Sequence, residues 1–183
     1  MKAGRLIARL VIGGLFVGHG TQKLFGWFGG PGPEGTEQMM KSLEMHPPRQ
    51  SAQAASWAEA AGGALLVLGG RLTPIAGAAL NATMVTAIRK VHFDKGLWNT
   101  NGGFEFNLAL IAATTALVED ETNTGWALAS LAAGVAGSTL AIEAGKRLAQ
   151  QEQEQEQDER TEYPLDTDDE QEPVQAQAET ATA

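Results

Sequence analysis

The sequence predicts an all-α fold, a polytopic transmembrane bundle of four helices with a fifth segment and a disordered acidic C-terminal tail. Two observations predict it. Long uncharged stretches recur through the first four-fifths of the chain: Leu10 to Gln22, Ala60 to Gly70, Leu72 to Ile88, Phe106 to Val118 and Thr122 to Ile142. Extending each run to its natural ends admits only one or two charges, and none carries the dense Lys and Glu stripe of a water-facing helix. The charge, in contrast, is concentrated at the end. Ala149 to Ala183 holds twelve acids and one base, so the tail is more acidic than the whole chain at −9, and Met1 to Leu148 is left at +2. The domain reading follows: a transmembrane domain over 1–148 and a disordered tail over 149–183. The tail has few apolar side chains and no periodicity, and cannot bury enough surface to offset its ordering entropy.

The first helix is expected from Leu6 to Phe28, with Lys2 and Arg5 before it and Trp27 and Phe28 as interfacial anchors. A signal peptide shares its basic start and apolar run. The following HGTQKLFGWFGG, however, puts His, Gln and Lys where a cleavage site wants small residues. GGPGPEG, from Gly29 to Gly35, breaks the helix, and the polar stretch through HPPRQ reads as an external loop. A second helix starts near Ser51 and runs through Glu59 to Leu68, its Gly62-Gly63 pair allowing close approach of another helix.

The third helix, Leu72 to about Val91, has Pro74 in its first turn, where a missing amide is harmless. It ends in the cations Arg89, Lys90 and His92, read as a membrane boundary. After the turn-rich DKGLWNTNGG, Phe104 to Val118 forms the fourth helix, opened by Glu105 and closed by Glu119-Asp120-Glu121. Gly125 to Ile142 is long enough to span but weaker in hydrophobicity. Lys146 and Arg147 end it at the headgroups.

Several chemistries are excluded. The chain has no cysteine, so it supplies neither a disulfide, a thiolate metal site nor a dithiol relay. There is no phosphate-cradling glycine motif, no nucleophilic serine in a turn and no basic stripe for nucleic acid. No metal site is expected, and His19 with His92 lacks the spacing that would argue for haem.

Ionisable groups at membrane depth need a protein, water or ligand partner. Helices alternating up and down bring the end of the first, start of the second, end of the third and start of the fourth to one side of the bilayer. This places His19, Lys23, Glu59, His92 and Glu105 in one candidate polar cluster. It reads either as a structural network fixing helix register or as a pocket for a polar head, such as a quinone carbonyl, a sulfur oxyanion or a small metabolite.

The runs RLVIGGLFVGHGTQKLFGWFGGPG, EAAGGALLVLGGRLTPIAG, MVTAIRKVHFDKGLW and GGFEFNLALIAA resemble, in order and spacing, the DoxX family of bacterial membrane proteins, over about residues 5 to 118. The ordered set of His-Gly-x-x-Lys, Glu-x-x-Gly-Gly, terminal His and Gly-Phe-Glu carries the resemblance. It implies a four-helix membrane fold, a multi-pass place in the bacterial cell membrane and an association with redox systems, since the family is named with subunits of a thiosulfate:quinone oxidoreductase. The same five residues match the family's recurrent polar positions. The expected function is therefore an accessory or subunit of a membrane redox system, binding a quinone-like or sulfur-oxyanion ligand. A non-catalytic scaffold and a small-solute transporter are the alternatives. With no redox centre of its own, the isolated chain is not expected to be an enzyme; a quinone is the cofactor it admits, and lipid and redox proteins are its expected partners. The chain departs from the family pattern after the fourth helix, where EDETNTGW replaces the usual short Gly-Pro-Gly and Ser-Leu-Asp ending. Charge leaves the orientation open: Lys2, Arg5, Arg9 and Arg71 fall on one side, and Lys41, Arg49, Arg89, Lys90 and Lys95 on the other.

Overall fold

A computed structural model describes residues 3–162 and shows six α-helices and no strand among them. They are α1 (Ala3–Phe25), α2 (Gly32–Ser42), α3 (Pro48–Leu68), α4 (Thr73–Ala87), α5 (Glu105–Glu121) and α6 (Thr124–Glu162). The chain divides into two compact units, Met1–Ala149 and Gln150–Ala183.

Glycine sets the spacing of the first unit. A Cβ at Gly63 of α3 would lie 2.6 Å from the Gly13 carbonyl oxygen and 2.8 Å from the Val17 amide of α1. One at Gly20 would overlap the Ala60 backbone. The two backbones therefore touch directly, which is how helices gain dispersion energy where no hydrophobic effect drives them together. Gly134 continues the device on α6, where a Cβ would sit 2.7 Å from Asn81 Cβ of α4. Gly20→Ala should force α1 and α3 apart at an overpacking cost of about 1–3 kcal/mol. A lowered melting temperature in detergent would report it, and an unchanged one would show that the seam yields.

Phe16, Leu66, Leu80, Met84, Leu110 and Leu117 form the main apolar cluster. The distribution around it differs from that of a water-soluble bundle. Glu59, Asn81, Thr114, Ser56 and Ser138 are buried, whereas Leu6, Ile7, Leu10, Val11 and Leu15 of α1 and Leu128, Val135 and Leu140 of α6 face outward. Small and polar residues inside with large apolar ones outside are what a lipid solvent selects. Within α6, Thr124–Thr161 is long and apolar enough to cross a membrane by length and composition.

The structure corrects the sequence reading in two places. The stretch read as an external loop contains α2. Its polar composition hides a narrow apolar edge: Thr36 and Met40 are buried four residues apart, and Met39, Leu43 and Met45 pack with Met40 and Ala52. Pro33 sits in its first turn, where it favours a helix start. An ion pair from Lys41 to Glu37 at 3.1 Å spans one turn of its solvent side. Second, Gln150–Glu162 is helical, although the tail was expected to lack order from residue 149. Gln, Glu and Arg are good helix formers, and no Gly or Pro interrupts the run from Lys146 to Glu162. The rest of the expected disordered tail, 163–183, lies outside the described residues.

Candidate functional site

Glu59 faces inward from α3, with Ser56, Gly62 and Gly63 on the same buried face. Its side chain is 4% exposed, so its carboxylate needs a partner. Lys23, near the end of α1, supplies it: Nζ lies 2.6 Å from both carboxylate oxygens. This is the part of the expected cluster that the structure brings together.

The other three residues stand apart from that pair. His19 is exposed, in a shallow surface groove with Leu15, Gln22 and Phe28. Helix geometry explains why Lys23 and His19 diverge. Gly20 marks the face turned to α3; Lys23 is about 60° from it and His19 about 100°. A long lysine can bend across that gap, and a short imidazole cannot. His92 Nδ1 lies 2.6 Å from the Gly102 carbonyl oxygen, so this histidine ties the end of α4 to the following loop. Glu105 occupies the first turn of α5, where a carboxylate suits the positive end of the helix dipole. Its backbone amide donates to the Leu97 carbonyl at 2.8 Å.

A cavity of about 300 Å3 adjoins the pair. Its walls are mainly apolar: Met39, Met40, Leu43 and Met45 from α2 and the turn after it, alanines of α3 and α4, and Gly137 and Ala141 of α6. Lys23, Glu59 and Lys90 are the charged side chains in its lining. Thr86 Oγ1 and Ser138 Oγ, 2.9 Å apart, hold α4 to α6 beside it. Lys23 also lines a second pocket of about 360 Å3 with Glu34, Glu37, Arg49, Gln53 and Ser56. Lys23 thus borders two pockets, one of mixed lining and one mainly apolar, and Glu59 faces the apolar one. Flexible methionines suit a chamber that adapts to its contents.

Sequence reasoning missed both the α2 methionines and Lys90. The signal for the first was present, an apolar Met39-Met40, Leu43, Met45 pattern at helical spacing inside a polar segment. The sequence places Lys90 with Arg89 and His92 in a cation cluster at a membrane boundary. Between Ala87 and Phe93, however, α4 widens into a π turn, Ile88–His92, and Lys90 and Val91 both line the chamber. Such turns are rare and frequent at functional sites. Among the described residues, no group of three His, Asp or Glu side chains is placed to hold a metal ion.

A second ionic site, also unforeseen, lies where α1 begins and α3 ends. Arg9 is 5% exposed. Its Nε donates to the Leu66 carbonyl at 3.0 Å, Nη2 donates to that of Val67, and Nη1 donates to Glu121 Oε1 at 2.7 Å. Glu121 Oε2 accepts from the Gly70 amide at 3.0 Å. Nearby, Arg5 Nε lies 2.8 Å from Asp120 Oδ2.

An all-α protein with an apolar exterior, glycine-packed helices and buried, paired charges belongs to the helical membrane class. The DoxX family profile matches residues 4–93, which span α1 to the turns after α4 and include the Lys23–Glu59 pair. The chain belongs to the DoxX family and is a membrane protein of that family. No curated protein and no solved structure shows significant similarity to it.

Proposed function

We propose that this is a multi-pass protein of the bacterial cell membrane that holds a quinone-like amphiphile beside the Lys23–Glu59 pair, as an accessory subunit of a membrane redox system. The observation that carries the reading is the apolar chamber of about 300 Å3 with a buried ion pair in its wall. That volume is at the lower end of the range for small-molecule sites, and apolar walls with a few convergent polar groups are their usual composition. An amphiphile fits better than a sulfur oxyanion. A small dianion brings no apolar surface to the methionines and would have to be desolvated against walls that offer few donors. The chain's own residues bind and orient; electron transfer would be supplied by the quinone and a partner protein.

The test is saturable binding of decylubiquinone to the purified full chain in a nonionic detergent. Ala58→Phe, which fills part of the chamber from α3, should weaken it at least about tenfold, the factor for roughly 1.4 kcal/mol, while the protein stays folded and monodisperse. Decylubiquinone that only partitions into the detergent, or that binds the variant equally well, would remove the reading.

A further inference from the structure

The charged side chains lining the chamber are Lys23, Glu59 and Lys90. Lys23 and Glu59 neutralise each other through two 2.6 Å contacts. Lys90 has no such counterpart: it is half-buried and makes no hydrogen bond or ion pair with any described residue. The chamber therefore carries one uncompensated positive charge. We infer that it selects an amphiphile whose head bears a single negative charge, with Lys90 as the counter-ion and the apolar body lying against the α2 methionines.

The arrangement favours this on three counts. The π turn, not the regular part of α4, carries Lys90, and it puts Lys90 and Val91 side by side in the chamber wall. A backbone departure from the α-helix is thus spent on bringing a cation to an apolar space. Arg89, the next cation in sequence, is turned away and donates to Thr139 Oγ1 at 2.8 Å. Glu59 cannot serve Lys90 without leaving Lys23 unpaired. A mono-anionic head would leave every charge in the chamber matched, whereas a neutral head leaves Lys90 as it is and a dianion overshoots. Two sources share this chemistry, the enolate of an acidic hydroxyquinone and the carboxylate of an acyl chain.

This inference rests on the chamber being a ligand site and narrows what it takes. Two matched pairs test it on the full chain in nonionic detergent, above the pKa of the acids. The first is 2-hydroxy-3-decyl-1,4-naphthoquinone against its 2-methoxy ether, which differs in charge but hardly in body. The second is dodecanoate against dodecanol. The anion of at least one pair should bind about tenfold or more tighter than its neutral partner, as a charge-assisted hydrogen bond provides. Lys90→Met should abolish that ratio by weakening the anion far more than its neutral partner, and Lys90→Arg should preserve it. Which pair shows the ratio identifies the source. Ratios near one in both pairs, a ratio that survives Lys90→Met, or an equal loss for anion and neutral ligand would overturn the inference. Decylubiquinone binding would stand in those cases, so the failure of the charge preference is distinct from failure of the quinone reading. A dodecanoate preference without any quinone binding would do the reverse.

Discussion

Lys23→Met is expected to destabilise the protein by about 3–5 kcal/mol, more than Glu59→Gln, although both break the same ion pair. The asymmetry comes from exposure. The Glu59 side chain is 4% exposed and that of Lys23 is 21% exposed. Removing the lysine leaves a carboxylate enclosed between α1 and α3 with both its ammonium contacts gone. Removing the acid leaves an ammonium that already lines the second pocket beside Ser56 and Gln53, where water and a neutral amide oxygen can serve it. Its cost should be about 1–2 kcal/mol. The double variant Lys23→Met with Glu59→Gln should recover most of the loss, because no unpaired charge remains. Melting curves of the four proteins in one detergent decide the order. Equal losses in both single variants, or a double variant that sums them, would mean that the pair is not sealed from solvent.

The long helices were legible because their uncharged length is itself the signal. Helix α2 was not, since a GGPGPEG start and a polar surface resemble a loop. Its folding depends on Met39, Met40 and Leu43 meeting Ala52 and Ala55 of α3, a tertiary contact that local composition does not show. The pairing of Lys23 with Glu59 was legible from alternating topology alone. Topology brings helix ends to one level of the bundle but does not turn side chains toward its axis. His19 missed the pair by its rotation on α1, and His92 and Glu105 found local roles at helix ends. Lys90 was hidden by the opposite error: a cation at a helix end reads as a headgroup contact unless the π turn that rotates it inward is known. Arg9 was hidden for a similar reason, because charge counting placed it with the loop residues flanking the first span.

Arg9→Met should cost about as much as Lys23→Met, about 3–5 kcal/mol, though Arg9 does not line the apolar cavity. Arg9 serves two functions with one planar group. It closes the carbonyl end of α3, where Leu66 and Val67 would otherwise lack donors, and it neutralises Glu121 at the end of α5. A cation at a helix C-terminus is also favoured by the dipole. Gly69 makes room for it: its φ is +72°, and a Cβ there would overlap the Arg9 guanidinium. Arg9→Lys should rescue only in part, since a single ammonium cannot reproduce the fork that reaches two carbonyls and a carboxylate. Arg5→Met is the control. Arg5 and Asp120 are 27% and 43% exposed, and an ion pair of that kind contributes less than about 1 kcal/mol. Gly69→Ala should resemble Arg9→Met in its effect on melting while leaving the charge in place, because it displaces the guanidinium and strains a left-handed backbone. If Arg9→Met melts no lower than Arg5→Met, the buried fork does not join α1, α3 and α5, and the stability of this end must come from the packing of Gly13 against Gly63 alone.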